Sequence, residues 1–89
     1  DPASGTMPDT VEQQTEQALR NVEAILSEAG YSLSDVVKSV VLLADMNDFA
    51  AMNVVYARFY AKDMPARVCY EVGRLPMGAR VEIETIAVK

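Results

Sequence analysis

The chain has 89 residues, a length that fits one domain with a modest core. Its 51% apolar content excludes a disordered chain, and a formal charge of −5 with no basic run argues against sequence-independent nucleic-acid binding. One cysteine, Cys69, and no histidine exclude an intrachain disulfide, take away the usual ligands of zinc and redox metals, and rule out Ser-His and Cys-His nucleophilic pairs.

The opening "DPASGTMPD" is turn material, punctuated by Pro2, Gly5 and Pro8. Thr10 then caps a helix predicted over 10–29, with Gln13 three residues on to complete a capping box. Val11, Leu19, Val22, Ile25, Leu26 and Ala29 recur at helical spacing and give one apolar face. Gly30 is placed to end the helix in a left-handed turn. "SLSD" reads as a short turn. "VVKSVVLLA" follows, β-branched and short, and reads as a strand. Its alternating sets are Val36, Val40, Leu42 and Val37, Val41, Leu43, both apolar, so both sides should be covered. The chain's own helices can cover one side. The other has no candidate in so short a chain and points to another subunit.

"DMNDFAAMNVVYARFYAKD" is the second predicted helix, with Asn47 as its cap and Asp48 near the positive end of the dipole. Phe49, Met52, Tyr56, Phe59 and Tyr60 form its apolar stripe, read as core packing. The proline of "MPAR" ends this region. Two further strands, 66–72 and 79–88, are joined through a Pro-Met-Gly turn. Alternation puts Arg67, Cys69 and Glu71 on one face of the first. In the second, Val81, Ile83, Thr85 and Ala87 should lie under the helices, with Glu82 and Glu84 looking away. The face bearing Arg67 is expected to look away as well. The pattern is α+β. No apolar run reaches membrane-spanning length and no signal-peptide pattern precedes the domain, so a soluble protein of the cytoplasm or a mitochondrion is the expectation.

Arg67 and Glu82 interrupt apolar runs where Val or Ile would pack better. In the plainer reading, Arg67 pairs with Glu71, Glu82 or Glu84 at a sheet rim, which is worth about 0–1 kcal/mol when exposed. In the other reading it is an anion site: a guanidinium offers a planar fork that matches a carboxylate and keeps its charge when partly buried. Glu82 and Glu84 would repel each other, which suits proton shuttling. Cys69 has no base beside it in sequence and fits a small buried hydrophobe.

At these residues a resemblance enters. "NDFAAMNVVYARFY" followed by "PARVCYEVGRLPMGARVEIETIAV" closely resembles the Rid family of imine/enamine deaminases, and "DVVKSVVLLADMNDF" and "DPASGTM" fit as well. The likeness covers essentially all 89 residues as a single Rid-like domain. It implies a chorismate-mutase-like fold: two helices packed on one face of a mixed β-sheet, three subunits associating through the other face, and sites in the clefts between them. Family members begin with two more strands, so relative to the family this chain is N-terminally truncated by a hairpin and exposes a new sheet edge, whether as a truncated product, as part of a longer protein, or as a variant that repairs the edge by altered assembly. The implied reaction is hydrolysis of 2-aminoacrylate and related enamines or imines, such as 2-iminopropanoate, to a 2-keto acid and ammonia, with no cofactor and no metal. By position, Arg67 would bind the substrate carboxylate and Glu82 would position or activate the water. Cys69 would supply a backbone carbonyl, and Asn53 would line the cleft from a neighbouring subunit. A non-catalytic module that binds small carboxylates or a protein is the alternative. A ribonuclease or translation-inhibitor role, attached to some relatives, is weakest given the acidic balance and the lack of histidine. Neither nucleic acid nor membrane is an expected partner.

Overall fold

The computed structural model of the chain describes residues 8–61 and 64–88. The turn expected at Pro2 and Gly5, and Lys62 and Asp63 at the end of the second predicted helix, lie outside the described residues.

Local chemistry sets the helix ends. Helix α1 spans Val11–Glu28, and its cap Thr10 accepts the Gln13 N–H through Oγ1 at 3.1 Å. Among the described residues only this half of the capping pair forms. At the other end Gly30 adopts φ 81, the Tyr31 N–H donates to the Leu26 carbonyl and the Gly30 N–H to that of Ser27. This is the paired closure that a left-handed residue after a helix makes possible. The "SLSD" turn is one short 3-10 turn, Leu33–Asp35, in which the Asp35 carboxylate accepts the Ser32 N–H at 2.9 Å.

Strand β1 spans Val36–Leu43, helix α2 Phe49–Phe59, strand β2 Ala66–Glu71 and strand β3 Val81–Ala87. The cap of the α2 region differs from expectation. A 3-10 turn, Met46–Asp48, precedes α2, and Asp45 rather than Asn47 caps it by accepting the Asn47 N–H at 2.9 Å. Both residue types suit the role, and the extra 3-10 turn moves the start of the element back. The sheet is mixed and ordered β2-β1-β3, with β1 parallel to β2 and antiparallel to β3. The last two strands therefore flank β1. The link through Pro76–Gly78 carries the chain from one side of β1 to the other, with Met77 and Gly78 both at positive φ.

Register decides which side chains meet the helices. Ser39 lies opposite Arg67 and Thr85, and Val41 opposite Cys69 and Ile83. An irregularity between Val36 and Lys38 shifts the alternation, so Val36 is buried together with Val41 and Leu43 rather than sharing a face with Val40 and Leu42. A bulge adds one residue and reverses the face of what precedes it. The core is Val11, Leu19, Val36, Val41, Leu43, Met52, Tyr56, Tyr60 and Val81, with Phe49 and Phe59 packed against it. The aromatic stripe of the second helix is thus core-facing, as its spacing predicts. On α1, Leu26 joins the core but Ile25 is 69% exposed. Adjacent helical positions point about 100° apart, so both cannot occupy the middle of one face. The buried positions Gln14 and Thr15 are polar and satisfied. Thr15 donates to the Val11 carbonyl, while Gln14 donates to the Pro8 carbonyl and accepts the Arg80 N–H at 2.7 Å, tying the segment before α1 to the approach to β3.

On the far face of the sheet Val40 and Leu42 are half-buried, and Val68, Tyr70, Ile86, Glu82 and Glu84 are exposed.

Candidate functional site

Arg67 is the centre of the candidate site, and its placement corrects the sequence reading. It faces the helices, not the open side of the sheet. Its Nη1 donates to Asn53 Oδ1 at 2.5 Å. Its Cζ lies 4.8 Å from the centre of the Tyr56 ring and 5.4 Å from that of Phe49. Phe49, Asn53 and Tyr56 stand at i, i+4 and i+7 of α2 and share one helix face. A weakly hydrated planar cation can be turned inward where a flat ring receives it, and here this leaves Val68 and Tyr70 exposed on the other face.

The rim pairings considered for Arg67 are not formed. The Glu71 carboxylate accepts the Met46 N–H at 2.8 Å and so caps the turn ahead of α2. Glu82 and Glu84 lie on the opposite sheet face. The ion pairs among the described residues are Arg20 with Glu16 and Arg80 with Asp48. The Arg67 guanidinium is half-buried, bound to a neutral amide, and has no carboxylate within ion-pair distance among the described residues. A guanidinium carries five N–H donors, and Asn53 takes one.

Of the sequence-predicted residues, the structure brings Arg67, Asn53 and Cys69 to one side. Asn53 meets Arg67 within the same chain. Cys69, two residues along β2, is half-buried against the core. Burial pushes its thiol above its ordinary value, and the Arg67 charge pulls it part of the way back. At neutral pH it is therefore a thiol, not the thiolate that nucleophilic chemistry needs. Glu82 is not brought to Arg67 within one chain: it pairs in register with Leu42 and is exposed on the far face.

Beneath Arg67 lies a polar row that sequence reasoning missed. Ser39 is opposite both Arg67 and Thr85, and the hydroxyls of Ser39, Thr85, Tyr56 and Tyr60 are buried without a hydrogen-bond partner among the described residues. Burial raises the Tyr60 phenol above its ordinary value. The Ser39 hydroxyl lies near enough to pull the other way, although no bond of standard geometry joins the two. The role of Phe49 and Tyr56 was also missed, because an aromatic stripe at helical spacing fits core packing equally well. Their shared face with Asn53 was the available signal.

A surface depression lined by Glu16, Arg20, Glu23, Leu33, Arg58 and Phe59 involves none of the residues that hold Arg67. It presents both charge signs to solvent, and its Arg20, 5.9 Å from the centre of the Phe59 ring, is already paired with Glu16 at 3.1 Å. Among the described residues no group of three or more His, Cys, Asp or Glu side chains is placed to hold a metal ion. No helix among them is long and apolar enough to cross a membrane.

Comparisons with known proteins bear on the family and the fold. The family model described as Endoribonuclease L-PSP matches residues 1–89. A RutC family protein of Pyrococcus horikoshii is 52% identical over 90 residues, covering 100% of this chain and 71% of its own length. The 2-iminobutanoate/2-iminopropanoate deaminase of Capra hircus is 51% identical over 90 residues, covering 100% of this chain and 66% of its own length. The chain thus spans about two thirds of the length of these curated relatives. The crystal structure of E. coli TdcF with bound serine superposes with a TM-score of 0.95 at 42% identity, over 99% of this chain and 72% of that one. On this evidence the chain belongs to the Endoribonuclease L-PSP family, which also takes in the RutC and Rid proteins.

Proposed function

We propose that this chain acts in the hydrolytic deamination of small 2-imino acids and their enamine tautomers, such as 2-iminopropanoate and 2-aminoacrylate. The observation that carries the reading is the Arg67 guanidinium, held in place by an uncharged partner with its positive charge left unneutralised. Such a group suits the carboxylate that every substrate of this class carries. The deaminase relatives and the serine held by TdcF support a small amino-acid-like ligand.

In this reading Arg67 grips the carboxylate and fixes the adjoining C=N carbon. Water adds to that carbon as Glu82 takes its proton, the proton passes to nitrogen to give a carbinolamine, and the carbinol O–H proton then passes through Glu82 to the same nitrogen as the C–N bond breaks, so that ammonia leaves a 2-keto acid. No metal or cofactor is required, because orientation and proton transfer supply the catalysis. Cys69 contributes through its backbone carbonyl. Arg67 and Glu82 face opposite sides of one sheet, so the reading needs the chain to assemble. A homotrimer formed through the face bearing Val68, Tyr70 and Ile86 would cover that apolar surface and place sites between subunits. The half-buried lone thiol of Cys69 suits a reducing compartment, the cytoplasm or a mitochondrion.

The test is release of keto acid and ammonia from freshly generated 2-aminoacrylate. Loss of turnover in both Arg67→Ala and Glu82→Gln is the expected result; equal turnover in wild type and Arg67→Ala removes Arg67 from the mechanism. The separation of Arg67 from Glu82 within one chain also favours a second reading, a module that binds small carboxylates without turning them over. Saturable binding of 2-oxobutanoate with no turnover of any imine would select it.

A further inference from the structure

We infer that the α2 stripe Phe49, Asn53 and Tyr56 is a preformed guanidinium cradle, in which the Tyr56 ring, not its hydroxyl, is the positioning element that fixes the plane of Arg67 for an incoming carboxylate. The inference deepens the carboxylate-grip reading above and rests on it for the identity of the ligand.

Three observations combine. First, the two rings and the amide engage Arg67 in different ways. The rings lie 4.8 and 5.4 Å from Cζ, and the Asn53 oxygen takes a hydrogen of Nη1. A ring alone lets a guanidinium spin in its plane, and a single hydrogen bond alone lets it tilt. The combination removes both freedoms, which is what orienting a planar, two-pronged ligand requires. Second, Tyr56 is fully buried while its hydroxyl has no hydrogen-bond partner among the described residues. The contact with Arg67 is through the ring, so phenylalanine would serve as well. Third, the hydrogen-bond acceptor at position 53 is neutral. An aspartate there would hold Arg67 more tightly but cancel the charge an anion seeks. The cradle therefore combines positional restraint with an undiminished positive charge, and a purely structural arginine has no use for the second property.

The experiment reads Arg67 directly. In the nitrogen-15 NMR spectrum of the protein, an Arg67→Ala control assigns the Arg67 Nε–H signal. In wild type this proton should be displaced upfield by the flanking rings, with slowed rotation about Nε–Cζ. Tyr56→Leu keeps much of the side-chain volume and removes the ring. It should collapse the displacement, free the rotation and weaken 2-oxobutanoate binding by roughly tenfold, the scale of one lost desolvated cation–π contact. Tyr56→Phe should restore all three. Phe49→Leu, at a half-buried position, should give a smaller change of the same kind and keeps the test open if Tyr56→Leu does not fold. An unchanged Arg67 signal in either folded leucine variant overturns the inference, as does failure of Tyr56→Phe to restore it. If the wild-type signal is displaced and slowed while 2-oxobutanoate does not bind, the cradle stands and the carboxylate reading above falls.

Discussion

Asn53→Asp separates two things that Arg67 does, being held and being charged. The substitution is nearly isosteric and puts a carboxylate oxygen where the amide oxygen now accepts from Nη1. The fold should tolerate it: a partly exposed Arg–Asp pair changes stability by about 0–1 kcal/mol in the favourable direction. Anion binding should suffer badly. With a carboxylate ligand on another edge of the same guanidinium, the two carboxylates are taken to be about 6 Å apart. At an effective dielectric near 20, two unit charges at that separation repel by roughly 3 kcal/mol, which is about two decades in dissociation constant. Titration calorimetry with 2-oxobutanoate, paired with urea denaturation of both proteins, reads both quantities. The expected result is a protein of unchanged or slightly higher stability whose affinity is about 100-fold weaker, less at high salt because of screening. Binding as tight as wild type would show that Arg67 does not face the ligand. A marked loss of stability would show that the local geometry around Nη1 is wrong.

Tyr60, Cys69 and Met77 each set a further expected outcome. Burial raises the Tyr60 phenol, so the stability tied to keeping it neutral is whole below about pH 10 and is lost as pH rises through the higher folded value; urea denaturation across pH 9–11 should show a steeper alkaline fall for wild type than for Tyr60→Phe, and parallel curves would refute it. The Cys69 thiol, raised by burial and pulled back by Arg67, should alkylate with an apparent value above that of a free thiol, moving higher still in Arg67→Ala; a downward move on losing the cation would contradict the assignment. Met77 holds φ 58 while 90% exposed, and a left-handed non-glycine residue costs about 1–2 kcal/mol; after allowing about 0.4–1 kcal/mol for the extra freedom of unfolded glycine, Met77→Gly should stabilise by about 0.5–1 kcal/mol in urea denaturation, and no gain would place that backbone elsewhere.

What the sequence makes legible is what is decided locally. Thr10 and Gly30 bound α1 because capping and left-handed closure involve only neighbouring backbone groups. The stripe from Phe49 to Tyr60 buries because a period of 3.6 needs no tertiary knowledge. Glu82 and Glu84 face away because the set Val81, Ile83, Thr85 and Ala87 is plainly the better one to bury. What it hides is decided by partners far along the chain. The irregularity at Val36 and Lys38 leaves no trace in a pattern where every neighbour is apolar. Asp45 and Asn47 are both good caps, and only the 3-10 turn chooses between them. The resemblance carries Arg67, Cys69, Asn53 and Glu82 as site candidates. It does not say that Asn53 meets Arg67 within one chain, nor that two aromatic residues of the core stripe flank it.

Strand β2 is where local and global preferences conflict. Judged by hydrophobicity, it should bury Ala66, Val68 and Tyr70 and release Arg67, Cys69 and Glu71. It does the reverse, leaving Val68 at 44% and Tyr70 at 49% exposure. At about 25 cal/mol per Å², the apolar area left uncovered on those two side chains is a real cost to a domain this small. Turning the strand over would recover that burial, but it would move Arg67 to the face of Glu82 and Glu84 and empty the space between Phe49 and Tyr56. The cation would then be neutralised at a rim, and no unneutralised charge would remain for a ligand. Under the proposed assembly the conflict disappears, because a second copy covers Val68 and Tyr70 while Arg67 keeps its cradle. The arrangement that is costly for one protomer would then be favourable for several, and the same inversion of β2 would serve both the proposed subunit contact and the proposed anion capture.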